Sequence, residues 1–387
     1  MRLGKIQINP PLTCAERDTG RSTILHPSIK SLMEFSMALK VVISGRSMAP
    51  LNLLHEAGFE VVEGDATTTE ELIDITKDAD GALIGIWPLH DREVLEACPK
   101  LKVVSRMGVG VDSIDLDAAT ELGILACNTP GANTTEVADH AMAMLLAQTR
   151  ILAETGQFTK AGGWSDNPAK MNDYRRNVRR IAGNTMGIIG LGNIGRAFAT
   201  RIKGFGPEQI IAYDPYVPQT VGDLYGVRMV DLDTLLTQSD FITIHTPATD
   251  ETHHLINADS LAKMKSTAIL INCARGPIVD PVALHAALRD GEIESAGIDV
   301  TEFEPVDAED PLLGLENLLI TPHLAGWSPT FIEQSGQRQA ENVIRVLTGE
   351  KPHGLANPEV IKTIAVMRAT DPGRWEGVPD FSTAITV

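Results

Sequence analysis

The sequence predicts an α/β protein built from two doubly wound parallel-sheet domains. Three observations carry that prediction. Short apolar, β-rich runs alternate with helical patterns through two successive stretches of the chain, as expected for parallel sheets covered on both faces. A GxGxxG turn follows the first apolar run of the second stretch, in "MGIIGLGNIGRAFATRIKGFGPEQIIAYDP". The chain has 387 residues, 43% apolar and 22% charged, which suffices for two cores and is ordinary for a globular protein.

Residues 1–36 have turn-forming residues and no sustained period, so an irregular tail is expected there, or an upstream stretch included by choice of start codon. The regular pattern begins near Met37. First-stretch strands are expected at Val41–Ser44, Glu60–Glu63, Gly81–Ile84, Lys102–Ser105 and Leu125–Asn128, with helices such as Pro50–Ala57 and Asp115–Leu122 between them. "TTEVADHAMAMLLAQTRILAETGQ" predicts one long helix capped by Thr134 or Thr135. Residues 162–182 are polar and rich in Gly, Pro and Asn, and predict a connection. Six further strands are expected at Met186–Gly190, Gln209–Asp214, Phe241–His245, Ala268–Asn272, Ser295–Asp299 and Leu318–Thr321, the number in a dinucleotide-binding sheet. A last helix over about Pro329–Thr348 is expected to cross back to the first domain. The expected organisation is therefore a tail (1–36), a discontinuous first domain (37–140 and 328–358), a second domain (141–327) and a loose C-terminal tail (359–387).

The formal net charge of −18 argues against nucleic acid and anionic lipid as partners. Cys14, Cys98, Cys127 and Cys273 form no CxxC pair and fit buried thiols in a reducing cytosol. No apolar run reaches the ~18 residues of a membrane span. The first residues hold prolines and charges in place of an apolar signal region. A cytoplasmic location with no membrane contact is expected.

In the glycine turn, Gly190 permits the tight strand-to-helix turn, Gly192 admits close approach of a pyrophosphate, and Gly195 lets helix and strand pack closely. The helix N-terminus offers unpaired N–H groups and positive potential to phosphates. Asp214, 19 residues beyond Gly195, ends the next strand, where its carboxylate can accept from a ribose 2′-OH and would repel a 2′-phosphate. The expected cofactor is NAD in preference to NADP. Asn193, Ile194, His245, Thr246, Pro247, Cys273 and Ala274 stand at strand ends or the helix start and are further candidates for cofactor contact.

Three residues on the same rim could carry chemistry. Arg275 follows one strand in "LINCARGPIVD", Glu304 follows the next in "DVTEFEP", and His323 follows the last in "TPHLAG". A guanidinium can grip a carboxylate with two parallel hydrogen bonds. An imidazole titrates near ~6.5, and a carboxylate partner fixes its tautomer and favours its charged form. The set suits interconversion of a 2-hydroxy acid and its 2-keto acid, with Arg275 holding the substrate carboxylate, His323 exchanging the proton and Glu304 orienting His323. A surface ion pair, a solvated loop acid and a satisfied loop histidine are the plainer readings of the three residues.

With "GIIGLGNIGRAFA", "HTPATDETHHLIN", "ILINCARGPIVD", "GIDVTEFEP" and "ITPHLAG" together, the chain resembles the D-isomer-specific 2-hydroxyacid dehydrogenases over about residues 40–358. The resemblance implies a Rossmann NAD-binding domain and a flavodoxin-like substrate domain. It implies that Arg275, Glu304 and His323 match the family's catalytic trio, and that Asp299 hydrogen-bonds the nicotinamide carboxamide. It also implies that "RMGVGVDSID" is the substrate loop, with the N–H groups of Val109 and Gly110 meeting the carboxylate, and that the protein is a homodimer built across the cofactor domains. "HLAGWS", "NTPGANTTEVADH" and "YDPY" resemble the C-terminal-binding-protein corepressors of the same superfamily. That likeness puts Trp327 in the pocket wall and raises an alternative function, an NADH-responsive binding protein with weak dehydrogenase activity.

Two departures stand out. Thr301 takes a place that is often aromatic in the family. Trp87, in "IGIWPLH", takes the place of an arginine that reads phosphate in phosphoglycerate-oxidising relatives, so phosphoglycerate is not expected as substrate unless Arg46 or Arg106 compensates. His253 and His254 have no Cys or carboxylate at ligand spacing along the chain, so no metal is expected. "MNDYRRNVRR" is expected to be a solvated connection.

Overall fold

A computed structural model describes residues 38–44, 48–370 and 373–380. The expected tail, Cys14, Arg46 and the last seven residues lie outside the described residues. The described residues from Leu39 onward belong to one compact unit.

The first sheet contains β1 (Lys40–Ser44), β2 (Glu60–Gly64), β3 (Gly81–Ile84), β4 (Val103–Arg106) and β5 (Leu125–Cys127), all parallel, in the order β2-β1-β3-β4-β5. That is the flavodoxin-like winding. The second contains β6 (Thr185–Ile189), β7 (Gln209–Tyr213), β8 (Arg228–Met229), β9 (Phe241–Ile244), β10 (Ile269–Asn272), β11 (Ser295–Ile298) and β12 (Leu318–Ile320), in the order β12-β11-β10-β9-β6-β7-β8. β6–β11 repeat the Rossmann order 3-2-1-4-5-6, with the short β8 as its third strand, and β12 extends the sheet at the opposite edge. Six of the seven strands stand where the sequence predicts them; β8 was not expected, because its two residues are too few to form an apolar run.

Successive residues of each strand point to opposite faces, and both faces are buried. In the second sheet Met186, Ile188, Ile210, Ala212, Ile269 and Ile271 join one core, and Ile189, Ile211, Ile242, Ile244 and Leu270 join the other. The first sheet divides in the same way, with Val41, Ile43, Leu83 and Val103 against Ala82, Ile84 and Val104.

The expected long helix is two helices. Thr134–Thr149 starts at Asn133, not at a threonine, and Leu152–Lys160 follows after Ile151 adopts a left-handed φ of 52°. The break coincides with a tertiary contact: the Arg179 N–H takes the Thr149 carbonyl at 2.8 Å, in place of a continuing helical donor. The expected boundary at 140 falls inside the first of these helices, whose apolar face joins the second sheet's core from Val137 on. The polar stretch 162–182 also holds a helix, Pro168–Asn177, started by an Asn167 cap on Lys170 N and a proline at its first position.

The helix Pro329–Leu347 returns to the first sheet, where Ala340, Val343, Val346 and Leu347 join its core. The Gln339 amide donates to the carbonyls of Ile84 (2.8 Å) and Ser105 (2.7 Å). The described residues after 360 are packed, not loose. Val360–Thr370 is a helix, and Val360, Ile364, Trp375 and Val378 are buried in the same core. Trp375 is 1% exposed and donates through Nε1 to Gly123 O at 3.1 Å. Its apolar residues read as a tail because their partners are supplied by the distant first sheet.

Candidate active site

The C-terminal ends of β3 and β4 face those of β6 and β9–β12 across a cleft of about 720 Å³. Ligands bind at this edge of open parallel sheets. The first sheet contributes Gly85–Trp87 and Arg106–Asp112. The second contributes Asn193, Ile194, His245–Thr249, Cys273–Arg275, Asp299 and His323, and Trp327 closes one side.

The glycine turn has the geometry its sequence predicts. Gly190 has φ of 89°, and a Cβ there would lie 2.8 Å from the His245 and Thr246 backbone. A Cβ on Gly195 would overlap Gly190 O, so helix and turn are in direct contact. A Cβ on Gly192 would meet nothing within 4 Å, which leaves open space at the N-terminus of the helix Asn193–Ile202. These features fit a dinucleotide pyrophosphate. Asp214 follows β7 and accepts from Leu191 N at 2.9 Å and Tyr216 N at 3.0 Å, so it is fixed beside the turn. His245 is half-buried at the cleft edge; its Nε2 lies 3.1 Å from Thr243 Oγ1, and burial pushes its pKa down to about 3. Cys273 is buried beside Met144, and burial, reinforced by the Asp299 charge, pushes its thiol up.

Glu304 and His323 are in contact, with Oε2 2.6 Å from Nδ1, and each is about one-third exposed. Burial alone would raise the Glu304 carboxyl. The hydrogen bond and charge of His323, the Thr301 N–H and Arg275 outweigh it and hold the carboxyl below its ordinary range. Thr301, at the family's often-aromatic place, thus supports Glu304 through its backbone at 3.2 Å. His323 adopts a left-handed φ of 52°, a conformation that costs a non-glycine residue roughly 1–3 kcal/mol. Asp299 holds it there. The Asp299 carbonyl accepts from His323 N, and its buried carboxylate accepts from Leu324 N (2.9 Å), Ala325 N (2.7 Å) and Thr321 Oγ1 (2.5 Å). Most of that carboxylate is occupied within the protein, a role the sequence did not reveal.

Arg275 reaches across the cleft. Its Nε donates to Asp112 Oδ2 at 3.0 Å, and its Nη2 occupies the space that a Cβ on Gly110 would need. Asp112 was not anticipated. Among the described residues the Val109 and Gly110 N–H groups have no acceptor, and both residues line the cleft beside Arg275. Arg106 is 7% exposed and also lines the cleft. Burial, with the Arg275 charge adding and Asp112 opposing, pushes it down to about 10. Trp87 is largely exposed at the cleft wall, and Trp327 both lines the cleft and packs edge-on against Phe331 at 5.7 Å. His253 and His254 lie outside the cleft, and the fold supplies the carboxylate that sequence spacing lacked, Glu302.

A Rossmann sheet, a pyrophosphate turn and an Arg–Glu–His set on one rim define a dinucleotide-dependent oxidoreductase. The model of the D-isomer specific 2-hydroxyacid dehydrogenase NAD binding domain matches residues 142–325. The glyoxylate reductase of Korarchaeum cryptofilum is 42% identical over 75% of this chain and 86% of its own length. The D-3-phosphoglycerate dehydrogenase of Methanocaldococcus jannaschii is 40% identical over 79% of this chain, which spans 57% of that protein. The crystal structure of the TT0316 protein from Thermus thermophilus superimposes with a TM-score of 0.73 at 34% identity, covering 82% of this chain and 100% of that one. The chain belongs to the D-isomer specific 2-hydroxyacid dehydrogenase family, and its cofactor is NAD. No helix among the described residues is long and apolar enough to cross a membrane.

Proposed function

We propose that the protein reduces a small, unphosphorylated 2-keto acid to its D-2-hydroxy acid with NADH, and catalyses the reverse reaction. The observation that carries this reading is the 2.6 Å pairing of His323 with Glu304 on the rim where Arg275 meets the Val109–Gly110 loop. Residues 39–133 and 328–358, with the helix Val360–Thr370 packed on the same core, form the substrate domain in this reading, and residues 134–327 form the cofactor domain. Gly190, Gly192, Gly195, Asn193 and Ile194 hold the pyrophosphate, Asp214 the ribose, and His245, Thr246, Pro247, Cys273, Ala274 and Asp299 border the nicotinamide half.

Bound NAD supplies or accepts the hydride. Arg275, with the Val109 and Gly110 N–H groups, grips the substrate carboxylate and polarises the carbonyl beside it. His323 donates a proton through Nε2 to the carbonyl oxygen on reduction and removes it on oxidation. Glu304 accepts the Nδ1 proton, which fixes the imidazole and favours its charged form. Arg106 adds positive potential to the anion pocket, where low polarity strengthens it. Closure of the two lobes would expel water from the cleft.

Trp87 stands where a phosphate-reading arginine would, Trp327 adds a second apolar wall, and Arg106 serves the carboxylate pocket in this reading, which supports a small substrate such as glyoxylate over phosphoglycerate. Asp214 supports NAD over NADP. A cytoplasmic homodimer is the proposed form. A panel of 2-keto acids assayed by NADH absorbance tests the reading. Sustained oxidation with glyoxylate-sized acids supports it. Preference for the phosphorylated acid overturns the substrate assignment, and no turnover with any acid favours an NADH-responsive binding protein.

A further inference from the structure

Among the described residues, one group of histidine and carboxylate side chains outside the cleft has metal-ligand spacing: His253, His254 and Glu302. The histidines follow β9 and the glutamate follows β11. His254 Nε2 lies 3.2 Å from Glu302 Oε1, and His253 Nε2 lies 3.8 Å from the same oxygen. Donors bound at ~2.0–2.1 Å to a tetrahedral ion stand roughly 3.3 Å apart. Both separations are near that value, and His253, the most exposed of the three, has the freedom to close the difference.

The group is built into the backbone. His254 adopts a left-handed φ of 49°, its N–H donates to Pro277 O at 2.8 Å, and its carbonyl accepts from Asn257 Nδ2 at 3.1 Å. Glu302 is held by close packing of its loop on Gly276, where a Cβ would overlap Thr301 O. The rings of His253 and His254 stack with centroids 4.0 Å apart. The three donor atoms, one from each residue, all lie within 4.8 Å of one another.

We propose that His253, His254 and Glu302 bind one divalent transition-metal ion of the zinc class, with water completing its coordination. Two imidazoles and a carboxylate suit Zn²⁺, Co²⁺ and Ni²⁺ better than the harder Mg²⁺ or Ca²⁺. The ion ties the loop after β9 to the loop after β11, two residues before Glu304.

The test is titration of tag-free, chelator-stripped protein with Zn²⁺ by calorimetry and with Co²⁺ by visible absorption. The expected result is one site per chain, with the d–d bands of four- or five-coordinate Co²⁺. Glu302→Gln, His253→Asn and His254→Asn should each weaken binding at least about 10-fold. Asparagine is chosen at 254 because it tolerates the left-handed backbone. Keto-acid reduction in metal-free buffer should persist in all three variants, which separates failure of this site from failure of the dehydrogenase reading. Absence of Co²⁺ bands, or affinity unchanged by all three substitutions, overturns the proposal.

Discussion

The backbone of His323 hangs on Asp299. The carbonyl of Asp299 accepts the His323 N–H at 2.8 Å, and its carboxylate binds the next two N–H groups, of Leu324 and Ala325. One buried acid at the end of β11 thereby holds the strained turn that presents the imidazole.

Asp299→Asn should therefore act through His323. An amide nitrogen facing those donors leaves buried N–H groups unpaired, at roughly 1–3 kcal/mol each. Urea denaturation should show a loss in that range. Turnover should fall about 10- to 100-fold as the imidazole loses its position. Unchanged stability and turnover would show that the turn holds itself.

Gly110→Ala and Gly195→Ala should separate the two halves of the site. At 110 the new methyl would collide with the Arg275 guanidinium, and at 195 with the Gly190 carbonyl. The first should lower kcat/KM for the keto acid about 100-fold with NADH binding nearly intact. The second should weaken NADH binding most. Steady-state kinetics with NADH fluorescence titration checks both.

Asp214 reads the ribose in this account. Asp214→Ala should raise the NADPH/NADH ratio of kcat/KM at least about 10-fold, because a desolvated like charge beside a phosphate is removed. An unchanged ratio would place the discrimination elsewhere.

Stability should fall as the medium is acidified. Burial is the main cause that pushes His90 down to about 4, against the opposing Pro88 carbonyl and Asp91 charge, and burial pushes His245 down to about 3. In the unfolded chain both titrate near ~6.5. Below that pH the unfolded state takes up protons the folded state refuses. Stability is thus fully present above ~6.5, drops as pH falls toward the folded values, and levels below them. The fully buried His90 contributes about 3 kcal/mol by this linkage. His90→Leu should flatten the slope of unfolding free energy between ~6.5 and ~4.

The strands and the glycine turn were legible because they are local. Four or five consecutive apolar residues, or three glycines at fixed spacing, carry their own physics. Features set by tertiary contact were not legible. Ile151 breaks a continuous helical pattern where Arg179, distant in sequence, captures a carbonyl. The residues after 360 find their core only on the folded first sheet. Arg106 was visible at a strand end, but its burial was not, and neither was the pairing of Asp112 with Arg275. Glu302 lies far along the chain from His254, and only the adjacency of the loops after β9 and β11 brings them together. The Arg275, Glu304 and His323 positions followed from strand-end logic, whereas the grip of Asp299 on the His323 turn required coordinates.

The most direct measurement is the turnover of His323→Asn, a substitution that keeps the left-handed backbone and removes the proton donor. kcat should fall by about 10² to 10⁴ with NADH affinity within roughly two-fold of the parent. Turnover surviving within about ten-fold, or loss explained by failed NADH binding, would contradict the role of His323 as proton donor.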